Sequence, residues 1–308
     1  MGMESSWDLK NHYQSGQFAN VLDSKLFYIS RGKGDKVVLL PGLMACSYSY
    51  RKVIEILAEN YNAISLDLPG TGFSEKPSQP YSHRLLARVL ADFLEQIAGD
   101  EKVHLVAHDY AGPISFLMVN EFPEKVKSLS ILSSYLNIKR IKFALPVKFF
   151  RIPFIGKYFT YLFFPSILRL VYNLFLHSSS RPMSQEVAQD YYSLLFEGDK
   201  KLNLAALCSN IDRTIYAQRD MEAGLKKMVG LRQIIQGSED RLEDEKQTEY
   251  LMEIIRLSGI QRVDAGHMAM EEAPLSFAKK IEPLLESMNR HANKKQTGKK
   301  PWISSQAK

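Results

Sequence analysis

Short runs rich in β-branched and aliphatic residues alternate with helix-spaced stretches through the first half of the chain, and this alternation restricts the fold more than any other feature. The runs at 26–30, 36–41, 62–66, 103–108 and 126–133 predict strands, and those at 232–237 and 259–263 predict two more. Residues 81–98 place Leu85, Leu86, Val89, Leu90, Phe93, Leu94 and Ile97 at helical spacing, with Gly99 as a stop. Residues 274–288 predict a last helix. Strands alternating with helices give an α/β chain with a mostly parallel, doubly wound sheet covered on both faces.

The alternation breaks over 134–224, where strand signals vanish and the residues become aromatic, basic and helix-like. The expected organisation is a core of 1–133 and 225–290, a helical cap of 134–224 over the sheet's C-terminal edge, and a basic, mobile tail of 291–308. A length of 308 residues with 45% hydrophobic content supports one large core with a small accessory domain. No charged-then-apolar leader pattern stands at the N-terminus and no uncharged apolar run reaches the roughly 18 residues of a spanning helix, so a cytoplasmic protein is expected. The opening MGMESS fits the loose myristoylation pattern through Gly2 and Ser6. The two cysteines, Cys46 and Cys208, stand in no metal-ligand spacing, so neither a disulfide framework nor a metal site is expected.

The chemical signal is VHLVAHDYAG, residues 103–112, a strand-like run that ends at His108-Asp109 and leads straight into a helical pattern. Small residues at Ala107, Ala111 and Gly112 allow a sharp strand-to-helix turn that leaves the Asp109 carboxylate above the sheet, as in a nucleophile elbow. Taken alone, Asp109 reads equally well as a helix N-cap. Two further segments favour the catalytic role. Asp240 lies three residues past Gly237 at a predicted strand end, and His267 follows the last strand, which gives the order nucleophile, acid, histidine. Glu239 is the competing acid, and the shorter arm of Asp240 suits orienting an imidazole. The loop after Leu40-Pro41-Gly42 makes the backbone N–H groups of Leu43 and Tyr110 candidate oxyanion donors. Gly70 and Gly72 in LDLPGTGFSEKP predict a tight turn that supports the core.

From about Phe27 to Leu285 the chain resembles the aspartate-nucleophile branch of the α/β-hydrolase superfamily, which holds epoxide hydrolases, haloalkane dehalogenases and mesoderm-specific transcript proteins. His108-Asp109-Tyr110 is the specific part, since most superfamily members carry serine or cysteine at the nucleophile. The resemblance implies an α/β-hydrolase fold with a helical cap and a cofactor-independent hydrolase. Two departures stand out. Pro41-Gly42-Leu43-Met44 replaces the branch's His-Gly-x-Pro oxyanion loop, and Leu43 offers no side-chain donor for a departing halide. Epoxide hydrolases protonate the opening ring oxygen with two cap tyrosines; the resemblance puts Tyr158 or Tyr161 forward as the first, while Ser209 stands at the approximate position of the second, with Tyr216 the nearest tyrosine downstream.

A carboxylate that attacks an ordinary ester forms an unfavourable anhydride, whereas attack on a carbon with a strained or good leaving group forms a stable ester. The expected reaction is therefore an alkyl-enzyme ester at Asp109 with a hydrophobic electrophile, an epoxide first, hydrolysed by water that His267 activates. The alternatives are a dehalogenase-like reaction and a catalytically silent fold that binds a ligand or partner. From Lys125 through Gln185 no acidic residue occurs, while Lys139, Arg140, Lys142, Lys148, Arg151, Lys157 and Arg169 alternate with phenylalanines. This composition suits a hydrophobic small molecule and a peripheral contact with anionic membranes. A net charge of +6 without nucleic-acid motifs predicts no nucleic-acid partner, and the sequence assigns no oligomeric state.

Overall fold

The computed structural model describes residues 7–152 and 154–297. In chain order the elements are α1 (Trp7–Gln14), β1 (Gln17–Val21), β2 (Ser24–Arg31), β3 (Lys36–Leu40), α2 (Arg51–Leu57), β4 (Asn62–Leu66), α3 (His83–Ala98), β5 (Val103–His108), α4 (Ala111–Glu121) and β6 (Val126–Leu132). The insertion carries α5 (Leu145–Phe150), α6 (Gly156–Phe159), α7 (Pro165–Phe175), α8 (Gln185–Leu195) and α9 (Lys200–Ser209). Then come α10 (Ile215–Lys227), β7 (Leu231–Gly237), α11 (Glu245–Ile255), β8 (Gln261–Val263), α12 (Ala269–Glu272) and α13 (Pro274–Thr297).

The strands form one eight-stranded sheet in the order β1-β2-β4-β3-β5-β6-β7-β8. Pairing is parallel from β4 across to β8, and β2 runs antiparallel to both β1 and β4. The central strands read as unbroken apolar runs because both faces are buried. In β3, Val37 and Leu39 join the core beneath α2 and α13, whereas Val38 and Leu40 join the core beneath α3, α4 and α10. The seven expected strands all form, and β1 is an addition. Helix α3 starts at Ser82, whose hydroxyl accepts from the Leu85 N–H at 3.0 Å, and stops at Gly99 in a left-handed conformation.

Two features differ from expectation. The expected cap span of 134–224 takes in most of helix α10, which packs on α4 in the layer flanking the sheet. A Cβ on Gly224 would come 2.1 Å from the Phe116 carbonyl oxygen, which shows how closely the two backbones approach. The last helix runs on to Thr297, through residues 291–297 of the expected mobile tail, because Ala292, Lys294, Lys295 and Gln296 favour helix and Gly298 is the next breaker. The remainder of that tail, 298–308, and the Gly2 segment lie outside the described residues.

The turn at Gly70 and Gly72 supports the core through Asp67. This buried carboxylate accepts from the Ser47 N–H at 2.7 Å and the Phe73 N–H at 2.8 Å, and burial pushes it up to about 6. Gly72 sits at φ +54, and a Cβ there would lie 2.0 Å from the Asp67 carboxylate. The cap is tied to the loop after β3. Tyr172 donates to the Met44 carbonyl, Tyr48 donates to Asp190 at 2.7 Å, and Tyr191 donates to Ser49 at 2.8 Å and to Glu271 at 3.1 Å. Glu271 in turn takes both arms of Arg51 at 2.5 and 2.6 Å. Among the described residues no helix is long and apolar enough to cross a membrane.

Candidate active site

Strand β5 carries the chain into the centre of the sheet and ends at His108. The next residue, Asp109, adopts φ +46, a left-handed backbone that non-glycine residues seldom occupy. The bend is stable because its neighbours are small. A Cβ on Gly112 would fall 1.9 Å from the Ser134 hydroxyl, and one on Gly42 would fall 2.8 Å from the Asp109 Cβ. Ser134 fills the first space and donates to the Asp109 carbonyl at 2.7 Å, while the Asp109 N–H donates to the Leu132 carbonyl at 3.0 Å. Both contacts fasten the elbow to the end of β6.

The carboxylate points at the loop after β3. Its Oδ2 accepts from the Leu43 N–H at 3.1 Å, and the Tyr110 N–H bonds the same carboxylate. Both expected oxyanion donors therefore converge on one group, despite the unusual Pro41-Gly42-Leu43-Met44 loop. Desolvation raises the Asp109 carboxyl above the usual carboxylate range, against the opposing charge of His267 and the two N–H bonds.

His267 and Asp240 meet beside it. His267 Nδ1 and Asp240 Oδ2 are 2.9 Å apart, and both side chains are almost fully buried. Asp240 also accepts from Gln236 Nε2 at 2.9 Å and from the Leu242 N–H at 2.9 Å, so its orientation is fixed from three sides. Burial alone would lower the imidazole's pKa, but the charge and hydrogen bond of Asp240, followed by the charge of Asp109, push it up to about 9. Asp240 is held below the usual range: burial opposes this, and the charge and hydrogen bond of His267 prevail. Glu239, the competing acid, instead accepts from the Ser179 N–H at 3.3 Å. The cap fixes the histidine loop, since the His267 N–H donates to the Leu176 carbonyl at 2.7 Å. His108 lies against His267 with ring centroids 4.8 Å apart and Nε2 3.1 Å from the His267 carbonyl oxygen. Burial, then the neighbouring His267 charge, keeps it well below the usual imidazole range, so His108 is a neutral spacer.

Asp109 and His267 both line a cavity bounded by Leu43 and Met44 from the core and by Phe143, Ala144, Val147 and Leu176 from the cap, and they also line a second, more polar one with Ser133, Ser134 and Arg140. The first has a free volume of about 30 Å³.

The expected cap tyrosines are elsewhere. Tyr158, Tyr161 and Tyr216 are 60%, 57% and 70% exposed and line no part of this cavity. Tyr158 stands on the outer side of the single turn α6, whose inward position is taken by buried Gly156. Tyr216 lies in the first turn of α10, which turns Ala217 and Met221 toward the core instead. Besides Tyr110 of the elbow, the tyrosine that lines the cavity is Tyr135, two residues beyond the positive-φ Ser133 that follows β6. It is 8% exposed, and its hydroxyl is buried with no hydrogen-bond partner among the described residues. Nothing in the local sequence marks it except its place just after a strand end. Among the described residues no cluster of His, Cys, Asp and Glu has metal-site geometry.

A family profile described as alpha/beta hydrolase fold matches residues 35–274. Over 114 residues the chain is 33% identical to a cis-3-alkyl-4-alkyloxetan-2-one decarboxylase of Shewanella oneidensis, covering 36% of each chain. Over 108 residues it is 33% identical to a soluble epoxide hydrolase of Corynebacterium sp., covering 35% of this chain and 37% of that one. The chain thus spans little more than a third of the length of these relatives. The fold superposes on a haloalkane dehalogenase of Bradyrhizobium elkani with a TM-score of 0.76 and 18% identity, over 90% of this chain and 99% of the other, a likeness of fold.

Proposed function

The chain belongs to the alpha/beta hydrolase fold family, and from that premise we propose that it hydrolyses a hydrophobic, strained oxygen ring, an epoxide first, through a covalent ester on Asp109. The observation that carries the reading is a carboxylate at the left-handed elbow with Oδ2 already beneath the Leu43 N–H. A carboxylate so placed has one oxygen engaged by the oxyanion donors, and the other is left to attack carbon.

Attack by Oδ1 forms the Asp109–carbon bond and breaks the ring carbon–oxygen bond. The departing alkoxide takes the phenolic proton of Tyr135, which lines the cavity and whose buried hydroxyl has no hydrogen-bond partner among the described residues; Tyr110 shares both properties, but its ring lies against His83. Burial first, then the charges of Asp109 and Tyr110, holds the Tyr135 phenol well above its ordinary range, but an alkoxide is the stronger base. Esterification removes the negative charge of Asp109, one of the causes holding His267 up near 9. The imidazole gives up its proton and takes one from water through Nε2, while Asp240 keeps Nδ1. Water attacks the Asp109 acyl carbon, and the oxyanion at Oδ2 rests on the Leu43 and Tyr110 N–H groups. Collapse releases the diol with a proton from His267, the proton on the regenerated carboxyl returns to Tyr135, and His267 recovers from solvent the proton it released there after esterification.

A halide leaving group has less support. The cavity lining contains no Trp or Asn side chain to hold it, and the Tyr110 ring turns away toward His83, 4.8 Å between centroids. Two relatives bear names that specify strained oxygen rings, an oxetan-2-one and an epoxide. A single turnover of a lipophilic epoxide in ¹⁸O-water tests the reading. Label is expected in the Asp109 carboxylate and not in the first diol released, and Asp109→Asn is expected to abolish turnover. Label in the first diol with none in Asp109 refutes the covalent route.

A further inference from the structure

We infer that the outer face of the cap, residues 145–164, docks on an anionic membrane surface with Phe154 as the side chain that enters the apolar layer. Phe154 is 93% exposed, and Leu162, Tyr158 and Ile155 are exposed by half or more in the same short stretch. A scatter of single exposed hydrophobics is ordinary, but a contiguous aromatic face marks an interaction surface. Phe154 also takes φ +62, a conformation that opposes a bulky residue, so the chain accepts both local strain and exposure at one position. The turn is held rigidly from behind. The Gly156 N–H donates to the Ile152 carbonyl at 2.8 Å, and a Cβ on Gly156 would lie 2.2 Å from the Phe150 carbonyl oxygen.

Charge selects the partner. No acidic residue occurs between Glu124 and Glu186 in the sequence. Lys148 and Lys157 are exposed on this face, Lys157 Nζ lies 5.2 Å from the Tyr158 ring centroid, and Lys201 Nζ lies 4.4 Å from that of Tyr161. Ammonium groups beside phenol rings around an apolar tip suit the headgroup level of an anionic bilayer, where the ring is half buried and the amine meets phosphate or carboxylate. A second copy of this face would set lysine against lysine, which disfavours self-association. The location gives the contact a use. Ala144 and Val147 line the catalytic cavity, while Leu145 and Phe149, on the same segment, stand on the outer face. A bilayer against that face would therefore meet the wall of the cavity, so a lipophilic substrate would pass from membrane to site without crossing water. The docking does not depend on the chemistry proposed for Asp109.

The test is flotation of the full chain, without substrate, on phosphatidylcholine vesicles with and without about 30% phosphatidylserine, at about 50 mM and about 500 mM salt. Binding is expected on the anionic vesicles, weakened at high salt. Phe154→Ser is expected to lower the partition coefficient about tenfold, and each of Lys148→Gln and Lys157→Gln about fivefold, with melting curves unchanged. Phe154→Trp is expected to shift its emission to the blue on vesicle addition. Absence of binding to anionic vesicles at low salt, or equal binding by Phe154→Ser, overturns the inference. So does a concentration-dependent dimer that Phe154→Ser abolishes, which would assign the face to a second copy.

Discussion

Replacement of Asp240 by Asn separates charge from geometry in the pair that serves the active site. Asn keeps a carbonyl oxygen to accept from His267 Nδ1, now 2.9 Å from Asp240 Oδ2, and removes the negative charge. His267 stands at about 9 against its ordinary 6.5, a difference worth about 3 kcal/mol at about 1.4 kcal/mol per pH unit. The folded value is the higher one, so this stabilisation is complete below about 6.5 and is lost as pH rises through about 9. The variant retains the smaller shares due to Asp109 and Glu272. Urea unfolding of both proteins from pH 6 to pH 10 is therefore expected to show a stability gap that narrows by about 2 kcal/mol or more toward alkaline pH. An NMR titration of His267 should show its pKa falling in the variant. Turnover is expected to drop on the order of a thousandfold, because Asn no longer stabilises an imidazolium. Parallel unfolding curves across that range would refute the idea that Asp240 holds the His267 proton.

Two further outcomes follow from the same geometry. Tyr135→Phe is expected to lower kcat on an epoxide about a hundredfold with KM within about threefold, whereas the triple change Tyr158→Phe, Tyr161→Phe, Tyr216→Phe leaves kcat intact; full turnover by Tyr135→Phe would remove it as proton donor. Gly112→Ala drives a Cβ to 1.9 Å from the Ser134 hydroxyl, and calorimetry is expected to show a loss of about 2 kcal/mol, together with lost turnover as the Asp109 elbow shifts.

The parts of the site that sequence reveals are those whose chemistry is local. Asp109 announces itself because a strand pattern, a carboxylate and small flanking residues are adjacent, and the conformation at φ +46 follows from them. Asp240 and His267 are legible through their positions after the last two strands, and the chain order does the rest. The cap resists this treatment. On α6 and the short turn after it, sequence spacing does not tell which side faces the cavity, and Tyr158 and Tyr161 face solvent. Tyr135 lies in an irregular segment, where direction depends on Ser133 at φ +45 and on packing against the cap. Strand β1 is hidden for a similar reason. Its hairpin turns through Leu22 at φ +52, a position where Asn or Gly would have signalled the bend.

A carboxylate nucleophile imposes a timing problem that a serine does not. In the reaction proposed for Asp109, the negative charge that attacks carbon also helps to hold the His267 proton, so the base needed for hydrolysis is occupied for as long as the nucleophile is free. On the proposed route, ester formation cancels that charge and lowers the imidazole's pKa, and the base becomes available only once there is an ester to cleave. Asp240 opposes this release, because its charge and hydrogen bond also favour the imidazolium. The two carboxylates thus divide the control of one proton: Asp240 fixes which nitrogen holds it, and Asp109 decides when it leaves.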